Sequence, residues 1–258
     1  MRAAIDMISR TGLTVSLDHI RFEDVIRDAD VARSTAYRHW PYKDLFFSDL
    51  IKELASSARP AIVNDEVALI KQILTERADW LSTPEQRHSL ILELIRQLAL
   101  LDFTSILASP EWRTYLALHA TFSSLADGDL RDQIRAALAH AEADHIALIA
   151  RSWGQIAGLF GYRLRPELAT SFDTLATLLD ASMRGLVITA LSTPEVGTRR
   201  TLASPPGAAG PEPWSLPATA AASIAMAFLE PDPAAVWNEH RLTEIHRLLD
   251  ETRDHVAE

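Results

Sequence analysis

Of the nine side chains with hydrogen-bond donors in the eleven residues Arg33–Lys43, seven are candidates to meet a partner: Arg33, Ser34, Thr35, Tyr37, Arg38, His39 and Lys43. Guanidinium, hydroxyl, imidazole and ammonium groups at this density suit the recognition of anionic oxygens and of base edges rather than bond-making chemistry. A second kind of chemistry is suggested by Glu85-x-x-His88 and Glu142-x-x-His145. An acid and a histidine three residues apart lie on one helix face, the spacing that supplies metal ligands inside some helical bundles. Neither set comes with a nucleophile–base pair that stands out, so the chain does not read as an enzyme.

The donors must be positioned by short helices. Phe22, Val25, Ile26 and Ala29 follow the spacing of one buried helix face. Asp30–Val31 breaks that helix, and Arg33–His39 forms a second, ended by Trp40–Pro41 because proline disfavours helical geometry in the residue before it. A third starts at Tyr42 or Lys43 and runs through Leu45, Phe46, Asp49, Leu50 and Glu53. Two short helices joined by a tight turn, the second rich in donors, read as a helix-turn-helix whose second helix is suited to a DNA major groove.

Over Val31-Ala32-Arg33-Ser34-Thr35-Ala36-Tyr37-Arg38-His39-Trp40-Pro41-Tyr42-Lys43-Asp44-Leu45 the chain resembles the TetR family of transcriptional regulators. The Tyr–x–x–aromatic–x–x–Lys core carries the resemblance, which is good over about the first 55 residues and covers only the general plan beyond. Together with side-chain chemistry it implies roles. Arg33 would grip a guanine, Thr35 a thymine methyl, Tyr37 and His39 phosphates, and Lys43 a phosphate at the next helix start; Ser34 faces the base edges and Arg38 suits either job. Trp40 would plug the three-helix core. The copy is atypical. Asp30 stands where the family has a turn glycine, and Ala32 where it has a capping Ser or Thr. Ala36 replaces a large apolar residue and Ile26 a small one, two changes that would compensate in volume.

Composition bounds the rest. The chain has 258 residues, 48% of them hydrophobic, enough for a sizeable core, and no cysteine, which excludes disulfides and thiolate zinc sites. Its net charge is −10. Residues 1–59 hold nine basic and nine acidic side chains, so the acidic excess lies wholly after them. A neutral head must bind DNA through specific contacts more than through general attraction. No signal peptide and no membrane span are apparent, which gives an expectation of a cytoplasmic protein.

After Arg59–Pro60 the pattern is helical. A helix capped by Asn64 covers about Asp65–Leu81, and Ser82-Thr83-Pro84-Glu85 starts a central one to about Leu107. Others follow from Ser109-Pro110-Glu111, over Asp129–Gly158, Pro166–Leu191, Ala218–Leu229 and Ala234–Thr252. Leu13–Arg21 alternates as an extended connection would, and the proline-rich stretch Thr193–Pro217 reads as a flexible loop with Trp214 pinning its end. The expectation is an all-α fold: a DNA-binding domain over 1–55 and a helical effector-binding and dimerisation domain over 56–258.

The resemblance implies a homodimeric repressor on a near-palindromic double-stranded DNA operator, released by a small apolar effector and using no cofactor. Among body aromatics, Trp112, Tyr115, Phe122 and Trp153 are candidates to line the effector pocket, with core packing as the plain alternative. The rival reading is a helical-bundle metal protein or enzyme using Glu85/His88 and Glu142/His145. A third is an adaptor that has lost DNA binding, prompted by the neutral head, Asp30 and Ala32.

Overall fold

The structure, a computed structural model, describes residues 1–11, 20–57, 66–205, 208–238, 241, 243 and 245. Among them the chain is all-α with two small sheets. The helices are α1 (Arg2–Thr11), α2 (Phe22–Asp28), α3 (Arg33–His39), α4 (Lys43–Ser57), α5 (Glu66–Glu76), α6 (Pro84–Ala108), α7 (Pro110–Ser124), α8 (Asp129–Leu159), α9 (Phe172–Ser192), α10 (Glu195–Thr198) and α11 (Leu216–Phe228). The strands are β1 (Tyr162–Leu164), β2 (Arg200–Ala203), β3 (Glu212–Ser215) and β4 (Leu229–Pro231). Most of Leu13–Arg21, the cap at Asn64 and most of the helix expected over Ala234–Thr252 lie outside the described residues.

Helix starts follow local chemistry. Thr83 and Gln86 exchange side-chain hydrogen bonds with each other's backbone N–H at 3.2 Å, a reciprocal capping box in front of α6. Ser109 caps α7 by accepting from the Trp112 N–H, and Ser215 caps α11 by accepting from the Ala218 N–H. The expected helix Pro166–Leu191 is broken: Pro166–Leu168 is a 3-10 turn, Ala169 takes a left-handed φ of 45°, and Ser171 caps a fresh start of α9.

The chain forms two compact units. Met1–Ala61 and Ala108–His145 make one; Ile62–Leu107 and Ile146–Glu258 make the other, so α8 contributes a half to each. In the first, Ala4 and Ile8 of α1 pack with Phe22, Val25 and Ile26 of α2, Ala36 of α3, and Phe46 and Leu50 of α4. Leu118 of α7 and Ile134 and Leu138 of α8 complete that core. Each Val, Ile, Leu or Phe among them contributes about 1.5–3 kcal/mol on burial.

The second unit is built on α6. Leu90, Ile91, Leu92, Leu94, Ile95, Ala99 and Phe103 are all buried, so this helix is central, as its apolar circumference suggests. Helix α9 buries Leu175, Ala176, Leu179, Val187 and Ala190, and α11 buries Ala218, Ala221, Ala222 and Ala225. Small side chains on α11 permit close approach to α9.

Residues 193–217 differ from the expected flexible loop. Those described form α10, the antiparallel pair β2–β3 and the first residues of α11, with Leu202 opposite Pro213 and Thr201 opposite Trp214. Each strand has one unpaired edge, and proline is tolerated where its nitrogen faces that edge. Trp214 is buried in the unit's core and pins the hairpin. The pair β1–β4 joins residues far apart in sequence, Arg163 opposite Glu230, with Arg163 donating to the Glu230 carboxylate at 2.8 and 3.0 Å.

By length and composition one described helix, α9, is apolar enough to cross a membrane; within the unit it packs against α11 and carries an Asp180–Arg184 ion pair at 2.8 Å.

Candidate nucleic-acid interface

The turn between α2 and α3 shows how Asp30 replaces glycine. Asp30 takes a left-handed φ of 50°. The Val31 N–H donates to the Ile26 carbonyl and the Asp30 N–H to the Arg27 carbonyl, which closes the helix end as a Schellman motif with Asp30 at its left-handed position. Aspartate tolerates that conformation better than most residues. Ala32 precedes α3 with no side-chain cap, as its methyl dictates.

Helix α3 buries only Ala36. Arg33, Ser34, Thr35, Arg38 and His39 are exposed, and Tyr37 is half-buried. Tyr37 is held at both ends: its ring sits edge-on to Phe22 at 5.4 Å, and its hydroxyl donates to Glu23 at 3.1 Å. The Arg33 guanidinium lies 5.8 Å from the Tyr37 ring centre. Trp40 packs edge-on to Phe22 and Phe46 and donates to Asp49 at 3.0 Å, so it plugs the small core as expected. The His39 ring stands edge-on to Trp40 at 4.4 Å. Ser34, Thr35 and Arg38 make no side-chain hydrogen bond or ion pair among the described residues.

Glu23 was not singled out by sequence, because its role depends on three elements meeting. Its Oε1 lies 3.1 Å from the Tyr37 hydroxyl, 3.6 Å from Lys43 Nζ and 3.9 Å from an Arg33 nitrogen. Its own backbone N–H, the Tyr37 hydroxyl and Lys43 hold its carboxyl below the usual range. Six of the seven expected donors therefore stand on α3 and the seventh, Lys43, on the first residue of α4, and one carboxylate gathers three of them.

Ile26 and Ala36 belong to the same apolar core. Space remains: a cleft of about 560 Å³ is lined by both, with Phe22, Val25, Trp40 and Phe46, and it opens beside Thr35, Arg38 and His39.

The candidate effector residues are placed differently. Trp112 and Tyr115 of α7 are buried, with the Tyr115 hydroxyl donating to Glu142 at 2.8 Å. Phe122 is half-buried under the Arg131 guanidinium. Trp153 is half-buried against the core of the other unit, so the four do not share one unit. None of them lines the 560 Å³ cleft.

The candidate metal pairs are otherwise engaged. His88 Nδ1 is 2.6 Å from the Tyr162 hydroxyl, and Glu142 accepts from Tyr115. Burial pushes Tyr162 up to about 12, against the pull of Arg87. Among the described residues no group of three or more potential metal ligands comes together, and the two pairs belong to different units.

A half-buried acid on α6 also escaped the sequence reading. Asp102 interrupts the apolar run Leu98–Phe103, and its Oδ1 has no hydrogen-bond partner among the described residues. Burial, with Glu66 of α5 close by, raises it to about 8; burial raises Glu66 too. A lone acid inside an apolar helical stretch was the available signal.

Comparison of the chain with family models, with curated proteins and with solved structures finds no match to any of them.

Proposed function

We propose that the chain is a DNA-binding transcriptional regulator of the TetR type, acting as a homodimeric repressor in the cytoplasm and released by a small-molecule effector. The supporting observation is the α2–turn–α3 arrangement: a helix closed by left-handed Asp30, followed by a short helix that buries Ala36 alone and presents Arg33, Ser34, Thr35, Arg38 and His39 outward. A helix this short, with one buried residue, leaves most of its surface for a partner. Its donors match base edges and phosphates, and a helix fits the major groove.

Dimerisation is supported by the outer face of α9. Thr174, Leu178, Ala181, Gly185, Ile188 and Ser192 repeat at alternating spacings of four and three, and all are exposed and uncharged. Leu178 and Ile188 are 43% and 49% exposed. Such a stripe suits a second copy of the same helix, pairing at the shallow angle of a bundle. Replacing Ile188 by Glu should shift the protein from dimer to monomer in sedimentation; an unchanged dimer would remove α9 from that role.

The DNA claim is tested by selecting bound duplexes from a random pool with the full chain. The expected product is a near-palindrome with half-sites about 10 base pairs apart, centre to centre. Recovery of no enriched sequence would overturn the proposal.

A further inference from the structure

Three donors from two helices aim at a single oxygen. Tyr37 Oη, Lys43 Nζ and an Arg33 guanidinium nitrogen lie 3.1, 3.6 and 3.9 Å from Oε1 of Glu23. A hydroxyl, an ammonium and a guanidinium around one anionic oxygen are the surroundings that a phosphate oxygen takes in a protein–DNA contact. Here the oxygen belongs to the protein.

Resting on the DNA-binding reading above, we propose that Glu23 is an internal phosphate surrogate: its carboxylate occupies a one-phosphate cradle formed by Arg33, Tyr37 and Lys43, and DNA must displace it. The cradle is thereby kept assembled without DNA, because Phe22 fixes the Tyr37 ring while Glu23 fixes its hydroxyl. The same carboxylate is a brake. Once a phosphate arrives, Glu23 has lost its donors and stands as a like charge beside it, a juxtaposition that disfavours binding.

Displacement is feasible because the contacts are solvent-exposed. The Glu23, Lys43 and Arg33 side chains are 38%, 58% and 70% accessible, and ion pairs of that kind are weak and exchange readily. The formally neutral charge of residues 1–59 fits the same picture: one acid here cancels the attraction of the groups that would meet the backbone. A brake of this sort raises selectivity. A random duplex offers only backbone contacts and cannot compensate for the lost carboxylate contacts, whereas a matched site adds base contacts.

The test is Glu23→Gln, which keeps the side-chain shape and the acceptor for Tyr37 but removes the charge. Wild-type full chain, E23Q and the double variant E23Q/K43A are titrated onto a labelled random-sequence duplex and onto a duplex selected by the wild type, over a salt series, with circular dichroism confirming the fold. E23Q should bind the random duplex about tenfold more tightly at low salt. Its salt slope should steepen by about one, since Lys43 now releases a counterion of the DNA. The gain on the selected duplex should be smaller, and the double variant should lose it on both. If wild type and E23Q bind the selected duplex equally well, the brake is overturned while the DNA-binding reading stands. Weaker binding by E23Q would make Glu23 a supporting contact instead, and also overturns it. If neither protein binds any duplex, both readings fall.

Discussion

Helix α3 buries Ala36 and turns Arg33, Ser34, Thr35, Arg38 and His39 to solvent, whereas α7, in the same unit, buries Trp112, Tyr115 and Leu118. Both helices carry side chains rich in chemistry. On α7 the aromatic side chains are turned inward: Trp112 lies in the fold's interior and Tyr115 donates to Glu142. On α3 the polar groups are available, and the helix is anchored through neighbours, with Tyr37 against Phe22, and Trp40 at its end against Phe22 and Phe46. A residue type alone does not mark a site; a functional donor is one the fold positions but leaves accessible.

The anchoring of α3 is the most sensitive part of this contrast. Ile26→Ala removes a buried side chain beside Ala36 and enlarges a cleft that is already there. The unit should lose on the order of 2–4 kcal/mol, read by chemical denaturation. An unchanged melting curve would mean that the cleft, not Ile26, sets the fit of α3.

The second unit differs in holding a half-buried acid whose Oδ1 is cut off from solvent. Asp102 is raised to about 8, far above the ordinary value of 3.8. The folded state therefore holds a proton that the unfolded chain releases. Stability should fall as pH rises from about 4 to 8 and level off above that. Asp102→Asn removes one of the two raised acids, so it should reduce this fall and stabilise the protein at pH 9, with Glu66 leaving a smaller residual slope. A mutant whose stability runs parallel to wild type over that range would show that Asp102 is not the group responsible.

On the accessible side of the comparison, Arg33→Ala should leave folding intact, weaken binding to all sequences alike and lower the salt slope by about one, as the loss of a backbone contact does. A loss confined to one base pair would instead place Arg33 on a base edge and leave the cradle to Tyr37 and Lys43. The smallest change expected is at the uncapped start of α3. Ala32→Ser supplies the missing acceptor and should add about 1 kcal/mol to stability. No gain would mean that the turn at Asp30 already satisfies those N–H groups through solvent.

Much of the helical plan was legible because its signals are local. Ser82-Thr83-Pro84-Glu85, Ser109-Pro110 and the Asp30 turn each act within a few residues, and each forms the expected boundary. The two sheets were not legible. Strand β1 pairs with β4 across more than sixty residues, and the Pro-rich composition of 193–217 conceals a hairpin that needs Trp214 buried beneath it. The donors on α3 were visible as a cluster, but Glu23 was not, since its meaning comes from where α2, α3 and α4 converge. Asp102 acquires its partner Glu66 only when α5 packs beside α6.

The central claim is that α3 and the start of α4 grip DNA. The most direct measurement is the affinity of the paired Tyr37→Ala and Lys43→Ala variant, shown by circular dichroism to be folded, for a duplex selected by the wild type. Losing two backbone anchors at once should weaken binding by about a hundredfold or more. Binding at wild-type affinity would contradict the account.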